Sequence, residues 1–139
     1  MPIAGEWFTP TGLSFNSIKA RPETTWVHFS LSDSNGIVGQ GEITDTQVDQ
    51  SIAPIVASLA NNLRGEKLTA DTDVIALNNL TIEQLETDLP LATAVSGLRC
   101  AIADALAQVM QLPLVDYLRE LYGHEGKADR KVQLYSNIN

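Results

Sequence analysis

The sequence predicts an α+β fold in which an antiparallel sheet precedes a group of helices. Apolar and polar residues alternate before Thr44, and apolar residues follow a helical spacing after it. An Asn-Gly turn at residues 35–36 joins two alternating segments, which is typical of a hairpin. Strands that come before helices, rather than between them, are typical of the α+β class. We therefore expect a three-stranded antiparallel meander followed by a bundle of three to four helices.

Three strands are predicted in the first part of the chain. The clearest is residues 24–33, where Val27, Phe29 and Leu31 alternate with polar residues, and residues 37–43 return as its partner. A shorter first strand is expected near residues 3–8. The residues between the first two strands, about 9–21, are then predicted to form a long loop. Loops of that length usually bind a ligand or move.

Four helical segments are predicted after the strands. An apolar stripe from Val48 to Leu63 indicates the first helix, in which Pro54 predicts a kink or a restart. Helices are also expected over residues 71–79, 90–111 and 114–122, the last closed by a left-handed glycine. The Thr-x-x-Gln spacing of a capping box occurs twice, at residues 44–47 and 81–84.

The last residues look like the beginning of another domain. Residues 124–131 are mostly charged, and residues 132–139 (VQLYSNIN) have the composition of a strand. A strand without a partner would leave its backbone groups unpaired. We therefore assign residues 1–123 to one domain and residues 124–139 to a linker and the first strand of a second domain.

Composition excludes several classes of protein. The 139 residues are 44% hydrophobic and carry a net charge of -8, from 9 basic and 17 acidic side chains. Nucleic acids and anionic membrane surfaces both attract basic proteins, so neither is expected as a partner. A single cysteine and two histidines form neither a disulfide nor a zinc pattern. The first residues lack the pattern of a secretory signal, which predicts a cytoplasmic protein.

Three segments carry a resemblance to a known family. They are residues 36–42 (GIVGQGE), residues 63–65 (LRG), and the run 98–118, which contains LRCAIADA followed by LPL and Leu118. Together they resemble the N-terminal capping domain of the enolase superfamily, in its mandelate racemase and muconate lactonizing branch. The third segment is also similar to methylaspartate ammonia-lyase. Gln108, Gln111 and the Tyr-Gly-His at residues 122–124 depart from the family pattern and leave the subfamily unassigned.

The resemblance implies a domain that covers the mouth of a (β/α) barrel. In that family, barrel carboxylates hold Mg²⁺, and a lysine or histidine removes the proton alpha to a substrate carboxylate. A barrel takes about 250 residues, so its metal ligands and bases would lie outside these 139 residues. The implied partners are the protein's own barrel domain and a small carboxylate substrate. The 139 residues alone are expected to be inactive.

Two other interpretations stay open. The chain could be a small stand-alone α+β module that binds a ligand or another protein. Two copies could also form a homo-oligomer through exposed strands or apolar helix faces.

The resemblance also suggests substrate-binding residues. The loop at about residues 9–21 would be a flap over the substrate, whose pocket residues are Thr11, Leu13, Phe15 and Asn16. The alternative is a surface loop whose apolar residues enter the local core. Ile43, Thr44 and Asp45 would belong to a smaller flap, although Thr44 could equally cap the next helix. Tyr135 and Asn137 would reach the active site from the first barrel strand.

Three further residues have structural explanations. Glu42 at a strand end is expected to form a salt bridge or a backbone hydrogen bond, because a base needs a reacting partner nearby. Asp104 is expected to pair with a neighbouring donor. Cys100 is expected to be a small core residue.

Overall fold

The computed structural model describes residues 6–45, 52–72, 74–123 and 133–134. These residues form three strands followed by five helical segments, which confirms the α+β class. The additional segment, α3, follows the predicted capping box at residues 81–84. In chain order the elements are β1 (Gly12–Arg21), β2 (Thr24–Ser32), β3 (Val38–Asp45), α1 (Ile52–Asn61), α2 (Val74–Leu77), α3 (Ile82–Thr87), α4 (Leu89–Val109) and α5 (Leu114–Tyr122).

The three strands form an antiparallel meander in the order β1-β2-β3. Phe29 in the middle strand pairs with Phe15 on one side and with Gly41 on the other. The turn between β2 and β3 forms where it was predicted. Its Asp33 carboxylate accepts hydrogen bonds from the N–H groups of Asn35 and Ile37, at 2.9 and 2.8 Å. Gly36 has a φ of 89°, which a residue with a side chain adopts only with strain.

The position of the first strand was predicted wrongly. Residues 12–21 form β1 and not a long loop. Phe8 makes only a single bridge to Leu68, with backbone hydrogen bonds of 2.9 Å in both directions. The sequence SFNSIK hides the strand because several of its residues are poor strand formers, and pairing with β2 overrides that preference. The N-terminal part of the predicted strand, residues 3–5, lies outside the described residues.

The core lies between the sheet and α4. Val27, Phe29 and Leu31 of β2 are at most 2% exposed. The facing side of α4 is lined by buried small and apolar residues, among them Gly97, Leu98, Ala101 and Ala105. We call the other face of the sheet the outer face. Within the described residues, no helix packs against it.

The glycines of β3 allow α4 to approach the strand closely. A Cβ atom on Gly39 would overlap the carbonyl oxygen of Ala101, and one on Gly41 would lie 2.6 Å from the carbonyl oxygen of Gly97. A side chain at either position would therefore push helix and strand apart. The Gly-x-Gly pattern of β3 is explained by packing and needs no ligand.

Local signals at the helix ends are confirmed. The Thr81 hydroxyl accepts a hydrogen bond from the Gln84 N–H, and the Gln84 side chain accepts one from the Thr81 N–H, as in a capping box. Gly123 closes α5 with a φ of 68°. Pro54 is the third described residue of α1, and the residues just before Ile52 lie outside the described part of the chain. Gln47 of the other capping box lies outside the described residues.

Among the described residues, α4 is long and apolar enough to span a bilayer. A central helix of a folded domain has the same properties. The side chains of Leu98 and Ala101 on α4 are fully buried against the rest of the domain.

Side chains of α4 also cover the free edge of β3. The Gln40 N–H donates to Asp104 Oδ2 at 2.9 Å, which confirms the prediction for Asp104. One helical turn later, Gln108 Nε2 donates to the Val38 carbonyl at 2.6 Å, and Gln108 Oε1 accepts from the Val38 N–H at 3.4 Å. Two side chains therefore bind backbone groups that an edge strand usually leaves open.

Replacing Asp104 with alanine should lower the free energy of unfolding by about 1–2 kcal/mol, because the Gln40 N–H loses a charged acceptor. Urea denaturation followed by circular dichroism measures the change. Ser96→Ala is the matched control, since Ser96 is an exposed residue of the same helix. Equal stability of the two variants would contradict this role for Asp104.

Candidate functional site

The meander brings two chain segments to the same end of the sheet. The turn between β1 and β2 is tight, because Arg21 already pairs with Thr24. At that end Thr25 also pairs with Asp45, the last residue of β3. We call this region, formed by the turn and the end of β3, the flap end.

An exposed row crosses the outer face at the flap end. Trp26 lies between Ile18 of β1 and Thr44 of β3 in the strand register. Trp26 is 45% exposed and Ile18 is 49% exposed, although both are large apolar side chains. We call Ile18, Trp26 and Thr44 the flap row. Neighbouring apolar side chains that are exposed on a surface are typical of a site that another domain or a ligand covers in the working protein.

Charged side chains of both signs lie near the flap row. Lys19 and Arg21 are exposed near the turn, and they are the only basic residues before Arg64 in an acidic chain. The same turn contains the exposed Glu23, and Asp45 ends β3 at this end of the sheet, so these four residues give the flap end no net positive charge. Sequence reasoning missed Ile18 and Trp26. The available signal was Trp26 itself, a large apolar residue on the polar side of an alternating strand.

The structure does not bring the four residues of the predicted flap together. Thr11 and Leu13 line a cleft of about 300 Å³ between the beginning of β1 and α1, which also contains Arg64. Phe15 faces the helices, and its ring centroid is 6.1 Å from that of Phe29. Asn16 lies on the outer face, opposite His28. Their role in substrate binding stays a prediction.

The smaller predicted flap separates into two buried residues, Ile43 and Asp45, and one exposed residue, Thr44. Ile43 is 3% exposed and packs against Gly97 of α4, whereas Thr44 is exposed in the flap row. The Asp45 carboxylate accepts a hydrogen bond of 2.6 Å from the N–H of Ile52, the first described residue of α1. Asp45 thereby links the end of β3 to α1. Tyr135 and Asn137 lie outside the described residues and stay predictions.

Residues 5–118 match the family model of the mandelate racemase/muconate lactonizing enzyme, N-terminal domain. The chain belongs to this family. No curated protein matches the chain significantly.

Two solved structures share the fold of this N-terminal domain. One is an enolase from Agrobacterium radiobacter with bound Na and L-malate, at 23% identity and a TM-score of 0.61, covering 80% of this chain and 28% of the other. The second is a mandelate racemase/muconate lactonizing enzyme from Bordetella bronchiseptica RB50, at 23% identity and a TM-score of 0.58, covering 81% and 33%. The chain therefore spans a third or less of the length of these enzymes.

The segments that carried the resemblance have structural roles in this N-terminal domain. The Gly-x-Gly of β3 makes room for α4. In residues 63–65, Leu63 is fully buried, Gly65 has a φ of 79°, and the Gly65 N–H donates to the Pro10 carbonyl at 2.9 Å. Both segments contribute to the packing of the domain.

The described residues do not fit a magnesium site. They contain no group of three or more histidine, cysteine, aspartate or glutamate side chains that could hold a metal ion. Mg²⁺ prefers an octahedral set of oxygen ligands, often carboxylates, so a metal of the intact enzyme would need ligands outside the described residues.

Two interpretations from the sequence are not supported. Cys100 is exposed on α4 and is not a core residue, because its neighbours Leu98 and Ala101 occupy the helix face that contacts the sheet. Glu42 is exposed on the outer face opposite His28. Within the described residues its carboxylate forms neither of the expected bonds.

A second cleft, of about 210 Å³, lies between α4 and α5 and is lined in part by Tyr117 and Tyr122. Burial raises the pKa of the Tyr117 phenol above its usual value, and the charges of Tyr122 and Asp71 act in the same direction. The phenol is therefore neutral at physiological pH, and Tyr117 acts as a packing residue.

Proposed function

We propose that this chain is the capping domain of an enzyme of the mandelate racemase and muconate lactonizing type, and that the flap row faces the substrate. The observation that carries the proposal is that the turn between β1 and β2 and the end of β3 lie at the same end of the sheet. Trp26 and Ile18 are exposed there. Family membership and the length of the similar enzymes support a larger protein in which this domain is about a third.

The chemistry of the flap end suits a lid over a small carboxylate. Apolar side chains that close over a site exclude water and strengthen the polar interactions inside it. Arg21, exposed beside the turn, would pair with a substrate carboxylate at the closing surface. The L-malate in the Agrobacterium structure, itself a small carboxylate, supports this substrate class.

The reaction of the intact enzyme would be removal of a proton alpha to the substrate carboxylate. A Mg²⁺ ion, held by ligands outside the described residues, would supply Lewis-acid chemistry in the intact enzyme. We propose substrate enclosure as the role of this domain. The partner of the flap end is then the barrel domain of the same protein.

Replacing Trp26 with alanine in the protein encoded by the full reading frame should reduce kcat/KM for its carboxylate substrate about tenfold. That factor corresponds to about 1.4 kcal/mol of lost apolar contact in the closed state. Steady-state kinetics with Mg²⁺ and a panel of hydroxy acids and muconates measures it. Trp7→Ala is the matched control, because Trp7 is also 45% exposed but lies beside Lys67, with Nζ 4.5 Å from its ring centroid.

Equal effects of the two tryptophan variants would contradict the proposed role of the flap row. The 139-residue chain provides a second test, since it should show no turnover with Mg²⁺ and the same substrates. Turnover by this chain would refute its assignment as a lid. A reading frame without a barrel would instead support the stand-alone binding module.

A further inference from the structure

The two edges of the sheet differ in how they are covered. The edge of β3 is bonded by Asp104 and Gln108 of α4. At the other edge of the sheet, no described residue forms a strand pair with the free edge of β1, which is ten residues long. An open edge of this length is a template for an added strand.

The strand register identifies the open backbone groups. Residues opposite each other in an antiparallel pair alternate between bonded and non-bonded pairs. The Asp33 N–H donates to the Ile37 carbonyl at 3.1 Å, which makes these two residues a bonded pair. The odd-numbered residues of β2 therefore form backbone hydrogen bonds with β3, and the even-numbered residues form them with β1. It follows that Leu13, Phe15 and Ser17 of β1 direct their backbone N–H and carbonyl groups outward.

The usual protections of an edge strand are missing in the middle of β1. Proteins commonly block edges with proline, charged side chains, bulges or a covering helix. Here the register irregularity and the two charges, Lys19 and Arg21, all lie at the C-terminal end. The stretch from residue 12 to residue 18 contains neither proline nor charge.

We propose that β1 pairs antiparallel with β1 of a second copy of this chain, so that two three-stranded sheets join into one of six strands. An antiparallel arrangement about Phe15 places Leu13 opposite the partner's Ser17. The two Lys19 side chains then lie at opposite ends of the interface. A parallel arrangement would bring them side by side, which is unfavourable for like charges.

Phe15 supplies an apolar contact at the centre of this interface. It is 40% exposed, and its ring already contacts Phe29 of the core. Pairing about Phe15 would bury both copies of the ring and continue the core across the interface. β1 also contains no acidic residue, although the chain has a net charge of -8. Two copies therefore repel each other less here than through an acidic surface.

Analytical ultracentrifugation of the 139-residue chain over a concentration series tests the proposal, with a dimer as the expected species at high concentration. Ser17→Pro should make the chain monomeric, because it removes an outward N–H without breaking the bonds to β2. Phe15→Lys should raise the dimer dissociation constant at least about tenfold, since like charges would meet at the centre. Circular dichroism verifies that each variant is folded.

Gln40→Lys is the matched control, because it adds the same charge to an exposed position on the covered edge strand. It should leave the dissociation constant unchanged. A wild-type chain that stays monomeric at the highest concentration would overturn the proposal. So would a folded Phe15→Lys variant that dimerises as strongly as the wild type, which would place the contact on another surface.

Discussion

Replacing Gly39 with alanine is expected to lower the free energy of unfolding by about 3 kcal/mol, a large effect for one added methyl group. The new Cβ would overlap the carbonyl oxygen of Ala101, which belongs to the backbone of α4 and cannot rotate away. Relief would require α4 to move off the sheet, which would loosen the main contact of the core. Urea denaturation followed by circular dichroism measures the loss.

Gly12→Ala separates this clash from the general effect of removing a glycine. Gly12 is also in a strand, but a Cβ there would meet only the Ser32 hydroxyl, at 2.8 Å, and that side chain can rotate. Its free energy of unfolding should change by less than about 1 kcal/mol. If Gly39→Ala were no less stable than Gly12→Ala, the close packing of β3 on α4 would be refuted.

Features that depend on neighbouring residues were predictable from the sequence. The capping box of Thr81 and Gln84 and the left-handed Gly123 each need only a few adjacent residues to form. The turn after β2 was recognised for the same reason, since Asp33 binds N–H groups two and four residues later. Short-range hydrogen bonds leave a pattern that can be read without the fold.

Features that depend on distant contacts were not predictable in the same way. The Gly-x-Gly of β3 was visible, but its reason is the approach of Ala101 and Gly97, which are far away in sequence. β1 was taken for a loop because its strand conformation depends on pairing with β2. Register and helix approach are properties of the assembled sheet.

The candidate site was predictable only in part. Thr44 was proposed from its position after the second hairpin strand, and it does lie in the flap row. Its neighbours Ile18 and Trp26 could not be placed beside it without the correct position of β1. The error in the first strand therefore hid which residues lie beside Thr44, while the predicted roles of Thr11, Leu13, Phe15 and Asn16 stay predictions.

Replacing Phe29 with alanine is expected to lower the free energy of unfolding by about 3–5 kcal/mol. Phe29 is 2% exposed, and its ring lies against the Cα positions of Gly41 and Gly97. Because glycines have no side chains that could move into the space, the cavity would stay largely unfilled, and unfilled cavities have the largest effects. Thermal and urea unfolding of the 139-residue chain measure the change.

Phe15→Ala provides the matched comparison, since Phe15 contacts Phe29 on the neighbouring strand but is 40% exposed. In the monomer, at protein concentrations below the dimer dissociation constant, removing a ring that is partly in water should lower stability by only about 1 kcal/mol, and it leaves a dent in the surface where water can enter. A similar loss for both variants would mean that the centre of the core lies closer to β1 than the structure places it. A much larger loss for Phe29→Ala would show that the contact between β2, β3 and α4 supplies most of the domain's stability. The same contact holds the flap end in position.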